Sequence, residues 1–168
     1  SDRLASEGFH SMRLDLDDSQ SISDALDQVL EQTDGQLYAL FNNGAYGQTG
    51  AVEDLSRNVL KSQFETNLFG WHDLTRRVIP VMRNQGYGRI IQNSSVLGLV
   101  ALPYRGAYTA SKFALEGLSD TLRMELHGSG VHVSLIEPGP IKSRFRANSL
   151  VAAKKNIDME RSVHSENY

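Results

Sequence analysis

Residues 89–95 read Arg-Ile-Ile-Gln-Asn-Ser-Ser, a short apolar run that stops abruptly in polar residues. Its length and β-branched content predict a strand over Arg89 to Gln92, with Asn93, Ser94 and Ser95 just beyond the carboxyl end. Upstream, Ser56 to Gln85 has apolar residues at 60, 64, 68, 71, 74, 78 and 82. That is the stripe of a long helix burying one face, which Pro80 should kink or end early. Downstream, Tyr108 to His127 repeats the pattern through Phe113, Leu115, Leu118, Leu122 and Leu126, then meets a Gly128-Ser129-Gly130 stop. Two further runs, Leu37 to Phe41 and Val131 to Ile136, predict strands outside these helices.

Nearer the start, Arg13 to Leu16 reads as a short strand. Ser21 to Gln32 reads as an amphipathic helix opened by Ser21 or Ser23 and Asp24. The order is then β-α-β-α-β-α-β. Strands separated by helices need crossover connections, so the expected fold is α/β with a doubly wound parallel sheet, right-handed crossovers and helices on both faces. The 168 residues suit a single domain, 1–168, without internal repeats. From Ala147 to Tyr168 the chain is polar and weakly patterned, and is expected to be a mobile loop.

Composition narrows the function classes. Lys+Arg number 17 against 20 Asp+Glu, a formal charge of −3 with no long basic run, so there is no electrostatic footprint for nucleic acid. Cysteine is absent, which removes disulfides, thiol nucleophiles and Cys-ligated metals, and suits a reducing, cytoplasmic setting. The five histidines show no metal-ligand spacing, so no metal is expected. The longest uncharged stretch, Gly35 to Val52, is broken by Gln, Asn and Gly, and the first ten residues lack a signal peptide's apolar core; the chain reads as soluble, without a membrane partner.

In an open parallel sheet ligands bind beyond the carboxyl ends of the strands. Those ends carry Asn42-Asn43-Gly44-Ala45-Tyr46-Gly47, Asn93-Ser94-Ser95 and Glu137-Pro138-Gly139-Pro140. Any one of these is an ordinary turn composition; three on one sheet edge make a site. Tyr108 and Lys112 lie four apart and share a helix face. A phenol of pKa about 10 is a poor base at neutral pH, and a fixed cation beside it should lower that value, as should the positive end of the helix. A lysine four residues after one of six tyrosines arises by chance about one time in three. The pair gains weight from Ser95, the Asn-Asn-Gly turn before it and the Pro-Gly after it.

At these residues the chain resembles the short-chain dehydrogenase/reductase family. The matching pieces are L-D-L-D-D at 14–18, N-N-G-A at 42–45, Asn67, S-S at 94–95, Y-T-A-S-K at 108–112 and E-P-G-P-I at 137–141. L-R-M-E-L at 122–126 and E-P-G-P-I-K-S-R-F most resemble the branch of retinol- and hydroxysteroid-dehydrogenase-like reductases. The resemblance implies an oxidoreductase moving a hydride between NAD or NADP and a small or lipophilic carbonyl or alcohol. It implies Tyr108 as general acid/base and Lys112 as its tuning cation and ribose holder. Ser95 would hydrogen-bond the substrate oxygen, with Ser94 as the competing choice. Asn67 would hold a water in a proton relay, or alternatively bond only to nearby backbone. Asp15 and Leu16 would flank the adenine, Asn42, Asn43 and Gly44 would line the adenosine side, and Pro138, Gly139, Ile141 and Ser143 would cover the nicotinamide.

Two departures stand out. The turn reads N-N-G-A where the family has N-N-A-G, which moves by one place the glycine that lets backbone approach closely. The family's first strand and glycine-rich phosphate loop have no counterpart: no G-x-G-x-x-G spacing lies between a strand and a helix. The chain is therefore expected to be part of a longer one, or to show a sheet split between Arg13–Leu16 and Leu37. The family's homodimers or homotetramers would use the helices holding Phe69, Trp71 and Tyr108, although core burial explains Phe69 and Trp71 equally well. Lys142, Arg144, Arg146, Lys154 and Lys155 would face an acidic substrate or simply solvent. The rival functions are a non-catalytic nucleotide-binding or scaffold protein, and a dehydratase or epimerase using the same Tyr and Lys.

Overall fold

The computed structural model describes residues 6–168; residues 1–5 of the expected domain lie outside it. Its centre is a parallel sheet of β1 (Ala39–Asn42), β2 (Gly88–Asn93) and β3 (Val131–Ile136), hydrogen-bonded in that order. Ala39 pairs with Arg89 and Asn42 with Gln92; Gly88 pairs with Val131 and Asn93 with Ile136. Helix α1 (Ser19–Gln32) precedes the sheet. Between β1 and β2 run α2 (Arg57–Phe64), a π-helical turn (Glu65–Phe69) and α3 (Gly70–Gln85). Helix α4 (Gly106–Glu125) joins β2 to β3, and α5 (Phe145–Asn156) follows β3.

Local chemistry explains the boundaries. The Asp18 carboxylate accepts from the Gln20 N–H and starts α1 two residues earlier than its serines suggest, and Ser56 caps α2 through the Val59 N–H. Helix α3 stops at Gly86, which is left-handed at φ 78°. The core joins Ile22 and Leu26 of α1, Leu74, Val78 and Met82 of α3, Ile90 of β2, Leu126, and Val131 and Val133 of β3. Each fully buried aliphatic side chain here contributes about 1.5 to 3 kcal/mol.

Both crossovers step the same way along the sheet, β1 to β2 to β3, within the parallel α/β architecture that was expected. On one face Ala39, Phe41, Arg89, His132 and Ser134 are exposed. The structure corrects the expected architecture in three places. Arg13–Leu16 forms no strand, and the sheet has no gap, since β1 pairs directly with β2. With no neighbour to satisfy its backbone as a strand, that segment ends in a turn where the Asp15 N–H donates to the Ser21 hydroxyl. Leu16 instead packs with Leu68, Trp71 and Leu115. The long helix is interrupted at the π turn, and Pro80 sits inside α3 without ending it. Finally, the segment expected as an irregular loop from Ala147 contains most of α5. Its apolar residues do not line one face, so periodicity could not reveal it; it buries only Ser149 and Ala153. Among the described residues no helix is long and apolar enough to cross a membrane.

Candidate active site

The end of β2 and the start of α4 bring three expected residues together. Ser95 caps the short turn Val96–Gly98, its hydroxyl accepting from the Leu97 N–H at 3.1 Å. Tyr108 lies in the first turn of α4, with its phenol near enough to the Ser95 hydroxyl for that group to favour the phenolate. Lys112, one turn on, is 1% exposed. Its ammonium donates to the Asn93 carbonyl at 2.7 Å and stands 4.3 Å from the centre of the Trp71 ring and 5.6 Å from that of Tyr108.

Electrostatics departs from the simple expectation of a phenol acidified by its lysine. Burial pushes the Tyr108 phenol above its ordinary 10.0, and the Ser95 hydroxyl offsets this only in part. The same burial pulls Lys112 from 10.5 down to about 8, with the Glu116 carboxylate acting the other way. Both groups are drawn toward their uncharged forms, because removing water penalises an ion more than these neighbours return. At neutral pH the phenol is thus the proton-bearing form and the lysine still mostly the cation.

Asn67 occupies the π turn, fully buried. Its amide oxygen accepts from the Tyr46 N–H at 3.2 Å, and its amide nitrogen donates to the Tyr46 carbonyl at 2.8 Å and toward the Ser111 hydroxyl at 3.4 Å. It therefore braces the loop after β1 rather than touching Lys112. Asn42 is also turned inward: it donates to the Thr75 hydroxyl at 3.0 Å and the Gln92 side chain at 2.9 Å. The neighbouring residues do reach the strand ends. Asn43 accepts from Asn93 at 2.5 Å, and the Gly44 carbonyl accepts from the Trp71 indole at 2.7 Å. A methyl group on Gly44 would meet Leu16 at 3.2 Å, so the Asp15–Leu16 turn lies beside Gly44. The Pro138 carbonyl accepts from the Val96 N–H at 3.2 Å, which sets the Glu137–Pro140 loop against the turn after Ser95. Gly139, Ile141 and Ser143 are exposed, and the Ser143 hydroxyl accepts from the Phe145 N–H.

Two participants escaped the sequence reading. Trp71 was open between core and partner surface; it is 1% exposed and roofs the Lys112 ammonium. Phe145, from the unpatterned α5, stands edge-on to the Tyr108 ring at 5.4 Å and fills the space over Gly47 with Ser149. Only the apolar stripe could have pointed to Trp71, and Phe145 was read only as the last residue of the E-P-G-P-I-K-S-R-F run, with no role at the phenol.

The family model described as short chain dehydrogenase matches residues 2–153. The chain is 50% identical over 147 residues to the Escherichia coli protein named uncharacterized oxidoreductase YbbO, a span covering 88% of this chain and 55% of that protein. It is 36% identical over 150 residues to human 17-beta-hydroxysteroid dehydrogenase type 1, covering 89% and 45%. The crystal structure of a short-chain dehydrogenase/reductase from Burkholderia phymatum in complex with NAD superposes with a TM-score of 0.82 at 28% identity, over 96% of this chain and 58% of that one. This chain thus spans about half the length of the relatives it matches, and along nearly all of its own length it belongs to the short-chain dehydrogenase family.

Proposed function

We propose that the protein carrying this chain is an NAD(P)-dependent oxidoreductase that interconverts a carbonyl and an alcohol. The observation that carries this is the convergence of the Ser95 hydroxyl, the Tyr108 phenol and the Lys112 ammonium at the carboxyl end of β2. The NAD-bound neighbour and the oxidoreductase relatives support the same reading.

The donor set suits the nicotinamide half of such a cofactor. Lys112 spends one N–H on the Asn93 carbonyl and has others for ribose hydroxyls. Pro138, Gly139, Ile141 and Ser143 would cover the nicotinamide, and Gly139 stands exposed there. Asn43, Gly44, Asp15 and Leu16 would hold the adenosine side, with Asn42 acting through the sheet rather than by contact. For the pyrophosphate, the described residues offer no glycine-rich turn leading into a helix. When bound, the nicotinamide supplies or accepts the hydride.

In reduction, Tyr108 donates its phenolic proton to the substrate oxygen, and Ser95 donates a hydrogen bond to the same oxygen, placing it and stabilising the charge that develops there. The Lys112 cation favours the phenolate that remains, which then regains a proton from solvent. Oxidation of an alcohol runs the same proton path backwards. The raised phenol suits the donor role, since it keeps Tyr108 protonated at neutral pH. Phe145 and the following segment to Tyr168 form the substrate-side cover, and the relatives' names support a lipophilic substrate. A cytoplasmic homodimer or homotetramer completes the reading, supported by the cysteine-free composition and the exposed Phe69, Phe113 and Leu118.

The test is turnover of aldehydes and ketones by the full-length protein, followed through cofactor absorbance, beside Tyr108→Phe. A loss of about 10²- to 10⁴-fold with the fold intact is expected. Unchanged turnover would remove Tyr108 from the mechanism, and cofactor binding without turnover by the natural protein would favour the non-catalytic rival.

A further inference from the structure

Helix α5 sits on the loop after β1 at two glycines. A methyl group on Gly47 would lie 2.8 Å from the Ser149 hydroxyl and 3.0 Å from the edge of the Phe145 ring, and one on Gly50 would collide with Ile157. In a close-packed interior no other residue fits at Gly47 without moving α5. Asn156, at the far end of the helix, donates to the Gln48 side chain at 2.7 Å, and the Gln48 N–H donates to the Gln63 side chain of α2 at 2.7 Å. Gln48 and Gln63 are fully buried, so the seat itself is fixed.

Phe145 opens α5, and the Ser149 hydroxyl donates to its carbonyl at 2.9 Å, so seat and ring move together. The ring stands edge-on to Tyr108, 5.4 Å between centres, yet 37% of Phe145 is exposed. It is thus held against Gly47 and the phenol while one side stays open. A carbonyl oxygen within hydrogen-bond reach of the phenol, about 2.6 to 3.2 Å, places the groups on its carbon within a few Å of this ring. A slim chain can pass such a wall; a branched carbon beside the carbonyl meets it.

We propose that Phe145 determines substrate specificity by limiting the bulk on the carbonyl carbon, and that Gly47 is the positioning residue that sets how closely the ring stands to Tyr108. The inference deepens the reading of Tyr108 as the group that meets the substrate oxygen, and rests on it. The favoured class is a carbonyl or alcohol on an unbranched apolar chain. A methyl group at Gly47 lifts the first turn of α5 off the loop, carries the ring away from the phenol, and admits branched carbonyls that the natural sequence rejects.

The test uses two isomers of equal apolar content, methyl butyl ketone and methyl tert-butyl ketone. Each is titrated by NMR against the full-length protein with oxidised NAD or NADP, which cannot reduce them. The natural sequence should bind the straight-chain isomer about tenfold more tightly, and Phe145→Ala should remove most of that preference. Gly47→Ala should narrow it by less, in the same direction. A general loss of stability weakens both ketones alike and leaves the ratio in place. A preference unmoved in Phe145→Ala, or binding of neither ketone, overturns the proposal; one unmoved or sharpened in Gly47→Ala overturns the role of the glycine. Should Gly47→Ala fail to fold, Ser149→Val presses on the same contact from the helix side and decides in its place. Binding needs no turnover, so the two readings fail separately. Turnover unimpaired in Tyr108→Phe beside a narrowed preference in Phe145→Ala discards the catalytic role and keeps the size limit; turnover lost beside an unmoved preference does the reverse.

Discussion

The Lys112 ammonium lies 4.3 Å from the centre of the Trp71 ring, and the indole N–H of the same tryptophan donates to the Gly44 carbonyl at 2.7 Å. One side chain of α3 therefore supports the buried cation and ties down the turn after β1. A desolvated cation over an indole face is worth about 2 kcal/mol.

Trp71→Phe should keep a weaker ring face but leave the Gly44 carbonyl without its donor, costing about 1 to 3 kcal/mol. Trp71→Leu removes both contacts and opens a cavity, costing about 3 to 5 kcal/mol. Denaturant unfolding of the two variants ranks them; no loss in Trp71→Phe would show that the indole N–H contributes nothing, and equal losses that the ring face does not.

Asn67 satisfies both the N–H and the carbonyl of Tyr46 from a fully buried position. Asn67→Leu leaves the Tyr46 N–H unpaired, while Gln63 still donates to the Tyr46 carbonyl at 2.9 Å, and should cost about 1 to 3 kcal/mol. The loop from Gly44 to Gln48 should then exchange its amide hydrogens faster than β2 does. A variant as stable as the natural sequence would show that this brace is dispensable.

Asp73 accepts from the Ser19 hydroxyl at 2.5 Å, from Arg76 at 2.9 Å and from Arg77 at 3.1 Å, joining α1 to α3. The Ser19 hydrogen bond leads these in holding its carboxyl at about 2 instead of 3.8. A carboxyl depressed on folding stabilises the protein above its unfolded pKa, and that share is lost as pH falls from about 4 to about 2. After screening by solvent the share is about 1 kcal/mol. Asp73→Asn should therefore melt earlier than the natural sequence near neutral pH and converge with it at about pH 2. A constant difference across that range would refute the assignment.

The segment after α5 is latched to the loop after β1. The Tyr168 hydroxyl accepts from the Ala51 N–H at 2.7 Å and donates to Asp54, and His164 meets Glu53 at 2.7 Å. Tyr168→Phe should cost about 1 kcal/mol and make residues 157–168 the first site of limited proteolysis. It should also loosen Phe145 from Tyr108, read as increased mobility of the Phe145 ring by NMR. Unaltered cleavage would mean that the latch holds through His164 with Glu53 and Ser162 with Asp54, without the Tyr168 hydroxyl.

Much of this arrangement was legible beforehand. The boundaries of β3 were read to the residue and those of β2 to within one, because both runs are apolar, β-branched and bounded by turn residues. Ser95, Tyr108 and Lys112 were legible as a set, since strand ends and an i, i+4 helix pair are local features that spacing reveals. The π turn was not: its extra residue is held by Tyr46, which is far away in sequence, and the apolar stripe runs through it undisturbed. Nor was α5, whose burial is confined to two small residues.

Periodicity and turn chemistry by themselves determined a parallel α/β sheet and which side chains gather at its carboxyl edge, because both depend on neighbours a few residues apart. Folding in three dimensions decided that Trp71 roofs the lysine, that Asn67 serves the backbone, that Phe145 covers the phenol, and that Tyr108 moves up rather than down in pKa. The reason is desolvation: how far a group is removed from water, and what replaces that water, depends on residues brought from distant parts of the chain.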